Sequence, residues 1–183
     1  MEHLTTIPIK QKTFIDEFIE FTEPLYRFAY RLAGDEDVAK DLVQETYLKA
    51  YHYFDHYQLG TNAKSWLFKI LNNLFLNEYN SKAKKLLTRD DKEEISDRLN
   101  SSKLTLQPEA FEDSLSDEVL LAFNALYTNL RTVLYLREVE NLRYDEIAKI
   151  MDVPVSTVKT RLHRARIMFK KKLVEFGFFG SQN

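Results

Sequence analysis

Four glycines and four prolines in 183 residues leave this chain few places to turn sharply, so its fold must be built from long uninterrupted segments. Along those segments apolar residues recur at intervals of three, four and seven, the spacing of a helix face. The fold class expected is all-α. From Phe14 to Ala33 the stripe is Phe14, Phe18, Phe21, Leu25, Phe28 and Leu32, with Pro24 either kinking one helix or beginning a second. The segment GDEDV, Gly34 to Val38, reads as a turn followed by acids that favour a helix N-terminus. A helix should run from there to about Tyr53. After the aperiodic stretch Tyr57 to Lys64, another should begin near Ala63 and continue to about Lys85.

Charge divides the chain. Residues up to Asp90 carry 12 basic and 13 acidic side chains, Asp91 to Glu118 carry 3 and 9, and the remainder 11 and 6. The reading is of two small helical domains, 10–88 and 118–178, joined by a flexible acidic linker over 89–117 that is rich in Ser and acids and contains Pro108. In the second domain Val119, Leu120, Phe123, Leu126 and Leu130 form one stripe and Val133, Leu134, Leu136 and Val139 another. With 44% apolar and 30% charged residues, the chain can bury a core. It has no cysteine, which excludes disulfides, thiolate zinc sites and cysteine nucleophiles. The opening MEHLTTIPIKQK lacks a basic segment followed by an apolar run, and no later run approaches the roughly 20 apolar residues of a membrane helix. A soluble cytoplasmic protein without membrane insertion is expected.

The strongest local pattern is LRYDEIAKIMDVPVSTVKTRLHRARIMFKKKL, Leu142 to Leu173. Ile147, Ala148 and Met151 share a face of a short helix, and a turn at Asp152-Val153-Pro154 leads to a longer one whose inner face is Val158, Leu162, Ala165, Phe169 and Leu173. That is a helix-turn-helix. Ser156, Thr157, Thr160, Arg161 and Arg164 point away from the apolar stripe, offering hydroxyls and guanidinium groups to a major groove. Lys159 is the first of seven Lys or Arg between Ser156 and Lys172, a stretch with no acid, which suits phosphates. The bland reading is a solvated basic helix.

Two further blocks are DVAKDLVQETYLKAYHYFDHY, Asp37 to Tyr57, and GTNAKSWLFKILNNL, Gly60 to Leu74. In the first, Ala39, Val43, Thr46, Ala50 and Phe54 form an inward stripe and Asp41, Gln44, Glu45, Leu48 and His52 an outward one. In the second, Trp66, Leu67, Ile70, Leu71 and Leu74 recur at core spacing, so Trp66 reads as a core anchor. These blocks resemble the core-binding and promoter-melting regions of extracytoplasmic-function sigma factors, and Glu146 to Arg166 resembles the family's second DNA-binding region. The resemblance implies bacterial core RNA polymerase and promoter DNA, duplex and melted, as partners, with no cofactor, metal or catalytic residue. It implies polymerase contact through Asp41, Gln44, Glu45 and Leu48. It places the minus-ten element at Tyr57, Thr61, Asn62, Lys64, Lys69, Asn72, Asn73 and Asn77, with Asn62 and its neighbours capturing a flipped base; otherwise Asn62 simply caps a helix. The minus-thirty-five element falls to Arg143, Ser156, Thr157, Lys159, Thr160, Arg161 and Arg164. Many family members are also held by an anti-sigma protein.

The sequence departs from the family pattern in places. Asn77, Glu78, Tyr79, Asn80 and Ser81 stand where the family has a turn and consecutive arginines, which weakens phosphate attraction there. Arg143 stands in a usual capping position before Glu146, so that cap is expected to be lost, with Arg143 free to reach a phosphate. Ser156 and Thr160 replace a common Gly and Ser. Two other readings exist. One is a conventional dimeric helix-turn-helix regulator, which needs no outward stripe at Asp41 to Leu48. The other is a metallohydrolase built on His52, Asp55 and His56, which lacks the glutamate of the common zinc motif.

Overall fold

The computed structural model describes residues 9–59, 61–86 and 117–178, leaving aside the side chains of 79–86. Helices account for all regular structure among the described residues. The first is α1, Ile9–Phe18, which ends in a 3-10 turn at Ile19–Phe21 before α2, Thr22–Ala33. Side chains hold the broken turn: the Thr22 hydroxyl donates to the Ile19 carbonyl at 2.8 Å and the Tyr47 hydroxyl to that of Phe18 at 2.9 Å. Pro24 is the third residue of α2, where no intrahelical N–H is needed, so it begins a second helix and kinks nothing.

Gly34 closes α2 in the left-handed region at φ +68°, where a Cβ would be strained. The Asp35 carboxylate then accepts the Val38 N–H at 2.9 Å and caps α3, Glu36–His52. A 3-10 turn at Phe54–His56 and a short loop lead to α4, Ala63–Leu86. All five expected inward positions are buried, Ala39, Val43, Thr46 and Ala50 on α3 and Phe54 in the turn, and the buried Thr46 hydroxyl is satisfied by the Leu42 carbonyl at 2.6 Å. Phe18, fully buried, touches the rings of Phe14, Phe54, Tyr57 and Trp66, while Phe28 stacks on Phe68 at 5.0 Å.

The second unit comprises α5, Asp117–Asn124; α6, Thr128–Glu138; α7, Tyr144–Met151; and α8, Val155–Glu175. Helix α8 packs across the other three. Val158, Leu162, Ala165 and Leu173 are buried as expected, with Phe169 partly buried against Phe123. Two core expectations are corrected. Val139 is 56% exposed, because α6 has ended and the chain turns away through Asn141 at φ +55°. Ile150, not Met151, takes the fully buried position in α7. The acidic linker lies outside the described residues except for Asp117, which opens α5.

The two units pack together, α4 against α7 and α2 against α6. Tyr135 stacks on Phe28 at 5.3 Å, and the buried Arg131 donates from Nη2 to the Leu32 carbonyl at 3.4 Å. Burial, with Glu140 close by, pushes the Tyr135 phenol far above its usual range. Removing the ring at the centre of the first core, Phe18→Ala, is expected to lower stability by about 3–5 kcal/mol. Asp35→Ala, which removes a cap and no core, is expected to cost about 1 kcal/mol. Urea denaturation of both variants checks the order of the two effects.

Candidate nucleic-acid interface

Helix α8 follows Pro154 with no side chain capping its first turn, so backbone N–H groups face outward at its N-terminus. Ser156, Lys159, Thr160 and Arg164 are exposed there, and Thr157 and Arg161 are partly buried. The Thr160 hydroxyl donates to the Ser156 carbonyl at 3.0 Å and keeps its lone pairs for an outside donor. Among the described residues Lys159, Arg161 and Arg164 form no ion pair, whereas cations further along are engaged. Arg166 donates through Nε and Nη2 to one Glu138 oxygen, at 3.0 and 2.6 Å, and Lys171 and Lys172 flank Glu175. Of the helix's cations without an ion pair among the described residues, three lie in its leading half, and Lys170 lies beyond them.

Arg143 keeps half of a cap. Its backbone N–H donates to Glu146 Oε2 at 2.7 Å, correcting the expectation that this cap is lost. Its guanidinium lies 3.2 Å from Asp145 and 3.6 Å from Glu146, so two carboxylates offset the charge expected to reach a phosphate.

On the first unit, Asp41, Gln44, Glu45 and Leu48 line one exposed side of α3. Together with Lys49, Leu74, Asn77 and Glu78 they bound an open groove of about 560 Å³ between α3 and α4. Leu48 stands 59% exposed in this acidic surround. Asn77, grouped by sequence with the minus-ten residues, also lines this groove, fifteen residues and roughly 22 Å along the helix from Asn62.

The loop before α4 also differs from expectation. Tyr57 is no open stacking platform, because its ring packs at 4.7 Å on Trp66 and its hydroxyl lies 2.9 Å from Glu17 and 3.1 Å from the Thr61 carbonyl. Burial raises the pKa of that hydroxyl. Trp66 is the core anchor expected, partly buried between Phe18 and Tyr57. Thr61 is exposed, with its hydroxyl donating to the Gln58 carbonyl at 2.7 Å. Asn62 does cap α4, accepting the Ser65 N–H at 2.8 Å, but its amide also donates to Glu146 of the second unit at 2.5 Å. Lys64 pairs with Glu140 at 2.7 Å. Asn72 is 3% exposed and donates to the Ile150 carbonyl at 3.3 Å, satisfying an orphan acceptor at the end of α7. In this arrangement Asn72 packs between the two units. Lys69, Asn73 and Asn77, four residues apart, follow one outward line along α4, with Asn73 and Asn77 exposed and Lys69 partly so.

No metal-binding chemistry gathers around the histidines. Asp55 is paired with Lys10 at 2.7 Å, His52 and His56 both meet the Tyr53 ring edge-on, and no three His, Asp or Glu converge among the described residues.

A helix-turn-helix with unpaired cations on its leading half, joined to a second helical unit with an acidic groove, has the make-up of a DNA-binding protein. Residues 20–85 match the family model of Sigma-70 region 2, and residues 116–168 that of Sigma-70 region 4. The ECF RNA polymerase sigma factor EcfG of Rhodopseudomonas palustris is 33% identical over 151 residues, covering 82% of this chain and 80% of the relative. SigE of Mycolicibacterium smegmatis is 29% identical over 87% of this chain, which spans 62% of that relative's length. The solved sigma factor RpoE from Bartonella quintana, in complex with the anti-sigma factor NepR, aligns at a TM-score of 0.72 with 26% identity over 88% of this chain and 97% of RpoE. The chain belongs to the ECF family of RNA polymerase sigma factors, which direct transcription initiation. If Asn72 serves packing, Asn72→Ala should lower stability by about 1–3 kcal/mol through the unsatisfied Ile150 carbonyl, a loss readable by thermal denaturation without DNA.

Proposed function

We propose that the division of labour follows the two units, with 10–88 docking on core polymerase and handling the minus-ten element, 89–117 acting as the tether, and 118–178 holding the minus-thirty-five element. The acidic groove takes a basic, apolar-bearing element of the polymerase through Asp41, Gln44, Glu45 and Leu48. An exposed leucine in a groove that Asp41, Glu45 and Glu78 also line is the observation that carries this reading, since burying Leu48 supplies affinity while the acids select a cationic partner.

Once docked, Asn62 with Thr61 takes an extruded base, while Lys64, Lys69 and Asn73 hold the strand. Ser156, Thr157, Lys159, Thr160, Arg161 and Arg164 enter the duplex major groove, with Arg143 at its edge. The protein contributes binding and strand capture, and the polymerase performs the chemistry, so the factor acts in the cytoplasm and catalyses nothing itself. The anti-sigma partner of RpoE supports a comparable inhibitor for this chain, one that covers the same groove.

Reconstituted transcription tests the proposal, using core polymerase, the full chain and a library of promoter fragments with start sites read by sequencing. Initiation from fragments sharing two spaced elements is expected. Tight duplex binding by a dimer without initiation would favour the conventional regulator. Within the same assay, Glu45→Lys with Leu48→Asp should weaken polymerase binding by about tenfold or more, a loss of at least about 1.4 kcal/mol. Arg161→Ala and Arg164→Ala should leave polymerase binding intact, and each should reduce the salt slope of promoter binding by about 0.9 where that arginine meets a phosphate.

A further inference from the structure

The two residues assigned to a base and a phosphate are already engaged by carboxylates, although Asn62 is exposed and Lys64 partly so. The Asn62 amide donates to Glu146 and the Lys64 ammonium reaches both the carboxylate of Glu140, at 2.7 Å, and its carbonyl, at 3.2 Å. Both acids belong to the second unit, and both are largely buried, with side chains 13% and 5% exposed. An amide donor and a cation that recognise a base edge and a phosphate by hydrogen bonding and charge recognise carboxylates by the same means.

We propose that Glu140 and Glu146 form an intramolecular latch, standing in for DNA against Asn62 and Lys64 and holding the free factor closed until promoter and polymerase displace them. This inference rests on the reading of Asn62 and Lys64 as minus-ten contacts. Three features make the closed state specific. Glu140 is largely buried, so withdrawing Lys64 would strand its carboxylate without a partner. Phe28 against Tyr135 and Asn72 against Ile150 fix the register in which the pair meets. The acidic groove at Leu48 stays open while the latch is shut, so polymerase docking does not require prior opening, whereas minus-ten capture does.

The test uses the full chain carrying Glu140→Gln and Glu146→Gln, near-isosteric changes that remove charge and keep hydrogen bonding. Because the sequence holds no cysteine, Lys12→Cys and Lys170→Cys, on α1 and α8, accept a dye pair that reports the separation of the two units. Affinity for a fluorescein-labelled single-stranded DNA of random sequence is measured in parallel without the dyes. Asp117→Asn with Asp152→Asn, two exposed acids of the same unit, controls for the simple gain in net charge.

The latch predicts that the glutamine pair lowers energy transfer and tightens single-strand binding by about tenfold relative to that control, the gain expected if the closed form had been about ten times more populated. Unchanged energy transfer would overturn the latch whatever the DNA affinity does. Separation of the units with no gain over the control would leave Glu140 and Glu146 as the clasp and overturn the assignment of Asn62 and Lys64 to DNA.

Discussion

Helix α4 has more neighbours than one amphipathic face can serve, and the arrangement of the whole molecule follows from how its sides are shared. Leu67, Phe68, Leu71 and Phe75 are buried, Trp66, Ile70, Leu74 and Leu76 partly so, and the side bearing Lys64 and Asn72 meets the second unit. Among its described side chains, Asn73, Asn77 and Glu78 are exposed and Lys69 partly so. A helix that is apolar round most of its girth cannot stand at the edge of a domain; it needs cover on several sides. Here α1, α2 and α3 supply part of that cover and α7 much of the rest.

This sharing explains which expectations were legible in the sequence. Helix existence and the local inward faces were readable because they depend on residues three and four apart. The buried stripe Ala39 to Phe54, the exposed Asp41 to Leu48, and the helix-turn-helix core from Val158 to Leu173 all reduce to that spacing. Caps with short side chains were readable for the same reason. Asp35 sits three residues before the N–H it accepts, as does Asn62.

What spacing cannot reveal is contact between parts of the chain distant in sequence. Asn72 looked like one more polar residue on a DNA-facing helix, yet its amide meets a carbonyl seventy-eight positions away. Tyr57 looked available for stacking because the loop around it is polar; the ring had already been claimed by Trp66 and Phe18. Glu140 lies in a turn outside any periodic pattern, and nothing local marks it as the buried partner of Lys64. Glu146 was visible as a helix-start residue, and half of its capping role was in fact kept despite Arg143, because the Glu side of a capping box needs only a backbone N–H.

The division of charge that first set the second unit apart sharpens when each cation is followed to its partner. Eleven basic residues against six acids from Val119 onward implied a broadly positive unit, but the acids are not spread evenly among the bases. Glu138 holds Arg166, Glu175 lies against Lys171 and Lys172, Asp145 and Glu146 surround Arg143, and Glu140 meets a lysine of the other unit. That leaves Lys159, Arg161 and Arg164, among the described residues, as the group of unpaired cations at the leading half of α8, while Lys171 and Lys172 share one carboxylate at its far end. A groove-reading helix gains from that arrangement, because a phosphate-seeking charge spread along its whole length would hold it on any duplex in any register. Concentrating the free cations beside Ser156, Thr157 and Thr160 couples the sequence-independent attraction to the few side chains able to read bases.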